Sequence, residues 1–282
     1  MKNRRGILIA IAVLLISITA VSTLHVYLEI YAFYITIKEK VLALKQVERI
    51  CRNVNYVQLD ILSEIFVKQM ELASKKCFSR REVEKRINVA YNALLRDAWS
   101  SSELKSYFTV KNKTVTFFTS NITICEYRDL KQKVNFRLLD GKKINSRSVC
   151  GITNMNYFYE NQSYGIFYGK NETLVVCISL RYFKLHEIGF AIIKKLRERT
   201  IVSSLTPEKY MERKVFIGIA KYGIKAEHNL ACTPIRKDEN STFYKCTLKF
   251  SLVDLYARNS GASIDRIRFP KVKFYYKRID EE

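Results

Sequence analysis

Between Gly6 and Leu28 the chain carries no Asp, Glu, Lys or Arg, and Ile7–Ile18 is almost purely aliphatic. At about 1.5 Å of helix rise per residue, some 20 apolar residues cross a hydrocarbon core. The stretch therefore predicts a membrane anchor at residues 6–28 behind a short basic tail, residues 1–5, that holds Lys2, Arg4 and Arg5. A cleaved secretory signal, with Ala20 as the small residue near its end, is the rival reading. Apolar character persists to Ile37 through Tyr27, Tyr31, Phe33 and Tyr34, as in a continuing helix with aromatic rings near the outer interface.

Orientation follows from charge density. Lys2, Arg4 and Arg5 abut the apolar run, whereas Lys38, Lys40 and Lys45 begin ten residues beyond Leu28, which favours a cytoplasmic N-terminus. Five N-x-[ST] sequons, at Asn112, Asn121, Asn161, Asn171 and Asn240, are candidate glycosylation sites and all lie on the far side. So do all seven cysteines, as an oxidising exterior permits. Their spacing fits no zinc module, and an odd number leaves at least one unpaired within the chain. Cys232 and Cys246 bracket what reads as a polar loop, Thr233–Thr242, and are the candidate disulfide stapling a hairpin; Cys177, inside an apolar run, reads as a buried small hydrophobe.

The body of the chain is strongly basic. Lys and Arg total 49 against 27 Asp and Glu, a formal +22, and only three of the positive charges precede the apolar run. Such a field attracts polyanions, and it also serves solubility. A charged fraction of 27% excludes a polytopic membrane protein, while 48% hydrophobic residues are enough for a sizeable core.

Beyond the anchor, Ala43, Val47, Ile50, Val54, Val57 and Ile61 form a heptad-like seam, predicting a helix that continues towards Cys77. Ser79-Arg80-Arg81-Glu82 reads as a capping box opening a second helix from Arg80 to Trp99, with Val83, Ile87, Ala90, Leu94 and Ala98 on its apolar face. Residues 29–102 are thus expected to form a helical stalk or hairpin. From there to residue 282 a mainly antiparallel, β-rich extracytoplasmic domain with one or two helices is expected, an α+β fold overall. Val110–Thr114 and Asp140-Gly141 are turn signals, and Thr173–Phe183 reads as a buried strand. Helices are expected at Glu187–Arg199 and from Thr206-Pro207-Glu208, and strands at Lys214–Lys221, Tyr244–Leu252 and the C-terminus. Alternation in the last two places Lys245, Lys249, Lys271, Lys273 and Lys277 on one basic surface. An edge strand guarded by lysine has the same pattern.

Catalytic signatures are missing. The three histidines are His25, His186 and His228, the first inside the anchor, and no Gly-x-Ser-x-Gly, His-Glu-x-x-His, phosphate loop or dinucleotide fingerprint occurs. A Cys–His pair or a carboxylate dyad assembled by folding stays open, since neither needs sequence proximity. No catalytic residue, metal ligand or cofactor is assigned.

Arg4-Arg5-Gly6-Ile7 followed by a long aliphatic helix resembles the N-terminus of archaeal type IV prepilin-like proteins. The resemblance covers roughly the first 30 residues and implies cleavage after Gly6, with the helix serving as an assembly stalk below a β-rich head. Ile11 stands where the bacterial members carry Glu. The expectation is a single-pass, pilin-like or other surface protein of the cell membrane, N-terminus inside and C-terminal domain outside, with a structural or interaction role. Its expected partners are membrane lipid through residues 6–28, self-association or a protein partner, and an anionic surface ligand, without specific nucleic acid. An anchored hydrolase and a polyanion binder are the alternatives.

Overall fold

The computed structural model describes residues 2–99, 107–130, 135–140 and 144–279. The fold is mixed α+β, with a long apolar N-terminal helix and two five-stranded sheets built largely from antiparallel pairs. Helix α1 runs over Lys2–Lys76 and α2 over Arg80–Trp99. Every residue from 9 to 38 of α1 is exposed. Among the described residues α1 is the single helix long and apolar enough to cross a membrane.

Past that point α1 buries one stripe: Ala43, Val47, Cys51, Val54, Gln58, Leu62 and Ile65. The steps 4, 4, 3, 4, 4, 3 repeat every 11 residues, closer to the 3.6-residue turn of a straight helix than a heptad is. The expected seam coincides with this stripe at Ala43, Val47 and Val54 and falls one residue short of it elsewhere, leaving Ile50 and Ile61 half-buried and Val57 exposed. On α2, Val83, Ile87 and Tyr91 are buried whereas Leu94 is exposed; the side chain of Ala98 lies outside the described residues. Ser79 caps α2 by accepting from Glu82 N at 3.3 Å.

The chain divides into two compact units that interleave in sequence. One comprises Met1–Asn53, Ser102–Thr116 and Tyr157–Lys170. It holds the short hairpin β1 (Thr109–Val110) and β2 (Lys113–Thr114), whose turn residues Lys111 and Asn112 take φ of 47° and 63°, the left-handed pair that a tight hairpin needs. It also holds the end of a long hairpin formed by β6 (Val149–Asn161) and β7 (Ile166–Ile178). Tyr159 Oη donates to Val110 O at 2.9 Å and Asn161 Nδ2 to Lys111 O at 3.1 Å, which ties the two hairpins. Lys111 Nζ reaches Glu39 Oε2 of α1 at 3.6 Å and lies 5.1 Å over the Tyr164 ring.

The second unit comprises Val54–Ser101, Phe117–Asn156 and Asn171–Glu282. Strands β3 (Thr116–Thr119), β6, β7 and β5 (Asn135–Asp140) lie in the order β3-β6-β7-β5, and β4 (Thr123–Glu126) shares the β6 edge with β3. The open edge of β4 is satisfied by α2: Glu84 Oε1 accepts from Ile124 N at 2.8 Å, and Asn88 accepts from Ile122 N and donates to Ile122 O at 2.7 and 2.8 Å. These bonds occupy backbone groups that an edge strand otherwise offers to another chain. Strand β5 pairs parallel to β7, so Asp140-Gly141 does not turn into an adjoining antiparallel strand there; Gly141 itself lies outside the described residues.

The other sheet consists of β9 (Ile224–Asp238), β10 (Ser241–Asp254), β11 (Arg266–Arg268), β12 (Val272–Ile279) and β8 (Ile201–Ser203). Its inner face carries Leu248, Phe250, Leu252, Val272, Phe274 and Tyr276 in one core with Leu185, Ile192 and Leu196 of α3 (Tyr182–Glu198). A Cβ on Gly189 of α3 would fall 1.9 Å from Phe269 Cζ, so the ring requires glycine beneath it. Helix α3 starts five residues earlier than expected because the preceding apolar strand ends at Ile178.

Two expectations fail here. Lys214–Lys221 is helical and not a strand: after α4 (Pro207–Tyr210, capped by Thr206) the chain continues in a wide π turn and a 3-10 turn to Gly223. Met211, Phe216 and Ile219 are its buried residues, a helical spacing that local alternation concealed. Thr233–Thr242 is mostly paired strand, with the turn confined to Glu239-Asn240.

Between β10 and α5 (Leu255–Asn259), Asp254 is wholly buried and holds Arg181. Arg181 Nη2 and Nε donate to its carboxylate at 2.6 and 3.1 Å, while Nη1 and Nη2 also donate to Tyr222 O and Gly223 O. The pair joins the start of α3, the turn before β9 and the end of β10.

Candidate contact face and groove

Strands β10 and β12 pair antiparallel with Thr247 opposite Lys273 and Lys245 opposite Tyr275. Because side chains alternate, burying Cys246, Leu248 and Phe250 turns Lys245, Thr247 and Lys249 outward. Lys245, Lys249, Lys271 and Lys273 are exposed; Lys277 is half-buried, its ammonium 5.0 Å from the Phe243 ring.

Beside these rows is an open groove of about 610 Å³, lined by Lys75, Glu227, His228, Lys249, Arg268 and Lys271 among others. Lys75 comes from α1 and Arg268 from β11; sequence reading missed both because neither lies on the alternating strands. The groove's acid is neutralised from the side: Glu227 Oε2 lies 2.7 Å from Arg266 Nη1 and its Oε1 3.6 Å from Arg258 Nη2. Asp265 sits between the same two arginines; burial opposes its charge, but hydrogen bonds from Arg266 and Arg258 prevail and hold its carboxyl below the usual carboxylate range. Among the described residues Lys75, Lys249, Arg268 and Lys271 have no ion-pair partner, so their charge faces solvent. This arrangement can hold anions by charge.

Folding does assemble one thiol and imidazole. His186 hydrogen-bonds the backbone of Cys77, and its ring lies 4.5 Å from Phe190 and 5.9 Å from Tyr182. Burial pushes the Cys77 thiol up to about 12 and the imidazole below the usual histidine value. Both are therefore neutral near pH 7, the reverse of an activated thiolate–imidazolium pair. His25 faces Glu29 on exposed α1, and the His228 ring lies tilted against Phe216 with centroids 4.8 Å apart. Among the described residues no group of three His, Cys, Asp or Glu is placed to hold a metal.

Cys232 and Cys246 are register partners on β9 and β10 and are disulfide-bonded. A second disulfide joins Cys150 to Cys177, correcting the reading of Cys177 as a plain hydrophobe. The two cysteines meet because β6 and β7 are neighbours in the sheet, which no local pattern marks. Cys125, opposite Cys150 on β4, is a buried thiol pushed up to about 11, chiefly by burial. Of the sequons, Asn112, Asn121, Asn171 and Asn240 are exposed. Asn161 is buried with Nδ2 donating to Lys111 O and Tyr159 Oη, two bonds that a glycan on that nitrogen would break.

No protein-family model, curated protein or solved structure matches the chain.

Proposed function

We propose that the chain is a single-pass, N-terminally anchored protein of the cell membrane, with an extracytoplasmic body that has a structural or interaction role and no catalysis. The observation that carries this reading is the exposure of every residue from 9 to 38 in a helix made mostly of Ile, Leu, Val, Ala and aromatic residues. Thirty uncovered residues span about 45 Å, the thickness of a bilayer with its headgroups. In water so large an apolar surface would associate.

Basic residues before the apolar run support a cytoplasmic N-terminus, and two disulfides beyond it support an oxidising exterior for the rest. The later part of α1 and α2 make a helical hairpin in this reading, supported by the buried bond from Tyr91 Oη to Gln58 Oε1 at 2.6 Å. The lysine face and its groove are the contact surface, suited to an acidic partner or polymer. The pilin-like form is the sharper version.

Mass spectrometry of the native N-terminal peptide from isolated membranes tests the reading. A chain starting at Met1 or Lys2 supports an uncleaved anchor, and a start at Ile7 supports prepilin-type processing. A start near Val21 means a secreted protein and overturns the anchor.

A further inference from the structure

Beyond the uncharged run that ends at Leu28, exposed and mostly apolar helix continues past Glu29 to Ile37, and Lys38, Glu39 and Lys40 follow at once. If residues 9–38 occupy a bilayer and its headgroups, Glu39 and Lys40 lie at the outer polar surface. Two hairpin ends are fastened to that turn. Lys111 bridges Glu39 and the Tyr164 ring, and the backbone of Gly165, at φ +56°, passes so near Lys40 that a Cβ there would stand 3.4 Å from its Nζ. The bonds from Tyr159 to Val110 and from Asn161 to Lys111 fix the β1–β2 turn and the β6–β7 end to each other. The two hairpin ends thus form a collar held beside α1 at the level of Glu39 and Lys40.

We propose that this collar docks on the headgroup layer of the membrane that α1 crosses, with the phosphodiester groups of its lipids as the ligand. The proposal rests on the anchored reading. Lys38, Lys40, Lys111 and Lys113 outnumber Glu39, which Lys111 engages, and Glu160, which accepts from Gln162 Nε2 at 3.0 Å. Beside the turn, exposed Phe167 sets its ring edge-on to Phe158 at 5.3 Å. Lysines with aromatic rings at one level suit the interface of an anionic membrane, where phosphates take the charge and rings sit among headgroups. Docking by the collar restricts the tilt of α1 in the bilayer, which a helix alone would leave free.

The test uses the full chain with Trp99→Phe, so that one introduced tryptophan reports. Gln162→Trp marks the collar and Val21→Trp the anchor; Thr114→Trp on exposed β2 serves if Gln162→Trp disturbs the hairpin. Each is reconstituted in phosphatidylcholine–phosphatidylglycerol vesicles and challenged with iodide and with brominated lipids. The collar reporter should be quenched by lipid brominated near the glycerol end and lose several-fold in iodide quenching relative to free tryptophan. Full iodide access at the collar, with Val21→Trp quenched by deep bromines, overturns the proposal and leaves the anchor standing. A Val21→Trp untouched by any brominated lipid overturns both.

Discussion

Asp254→Ala removes a wholly buried carboxylate and leaves the Arg181 guanidinium, 13% exposed, without its counter-charge. Three nitrogens of Arg181 lose an acceptor, among them its backbone N–H at 3.0 Å, and Tyr256 N loses the cap of α5. Breaking a buried pair from one side costs about 3–5 kcal/mol, mostly because the remaining charge stays desolvated. For a unit of this size each kcal/mol moves Tm by about 2–4 °C, so the shift should be roughly 6–20 °C. Thermal unfolding of the detergent-solubilised full chain, followed by circular dichroism, measures it. Glu227→Gln is the control: its pairs with Arg258 and Arg266 are part-exposed and should be worth about 1 kcal/mol or less. Arg181→Met with Asp254→Leu should recover part of the loss only, because Tyr222 O and Gly223 O still lose their donor. An Asp254→Ala chain melting within about 2 °C of the parent would refute the reasoning.

Gly189→Ala drives a methyl into the Phe269 ring and should cost about 1–3 kcal/mol, with Phe269→Leu restoring much of it in the double variant; additive losses in denaturant melts would contradict the contact. His186 is held below its ordinary value by burial, so the unfolded chain takes up the proton first and stability should fall as pH drops below the usual histidine range. His186→Phe should flatten that part of the stability–pH curve, and an unchanged slope would assign it elsewhere. A non-reducing peptide map should return Cys150–Cys177 and Cys232–Cys246, with Cys77 and Cys125 alkylated only after denaturation. Opening the 14-residue Cys232–Cys246 link by Cys246→Ser should cost about 3 kcal/mol.

Features with a local cause were legible. Ser79 and Glu82 announce α2, and alternation in Tyr244–Leu252 separates core from lysine face, because both signals lie within one element. The α1 stripe was legible in part, since the heptad seam shares Ala43, Val47 and Val54 with the 11-residue repeat but falls one residue short of it at Ile50, Val57 and Ile61. Lys214–Lys221 alternates like a strand, yet Thr206 and Pro207 start a helix that continues until Gly223, at φ 67°, ends it. What depends on strand neighbours carried no local mark: Cys150 meeting Cys177, Glu84 and Asn88 sealing β4, and Arg268 with Lys75 completing the groove. The collar is of the same kind, joining Glu39 to Lys111 across 72 residues of chain.

The anchor, as the central claim, is met most directly by alkaline carbonate extraction combined with impermeant thiol labelling of intact cells. The full chain should stay with the membrane pellet, with Lys249→Cys labelled from outside and Asn3→Cys only after lysis. Release of the chain by carbonate, or labelling of Lys249→Cys only in broken cells, would contradict it.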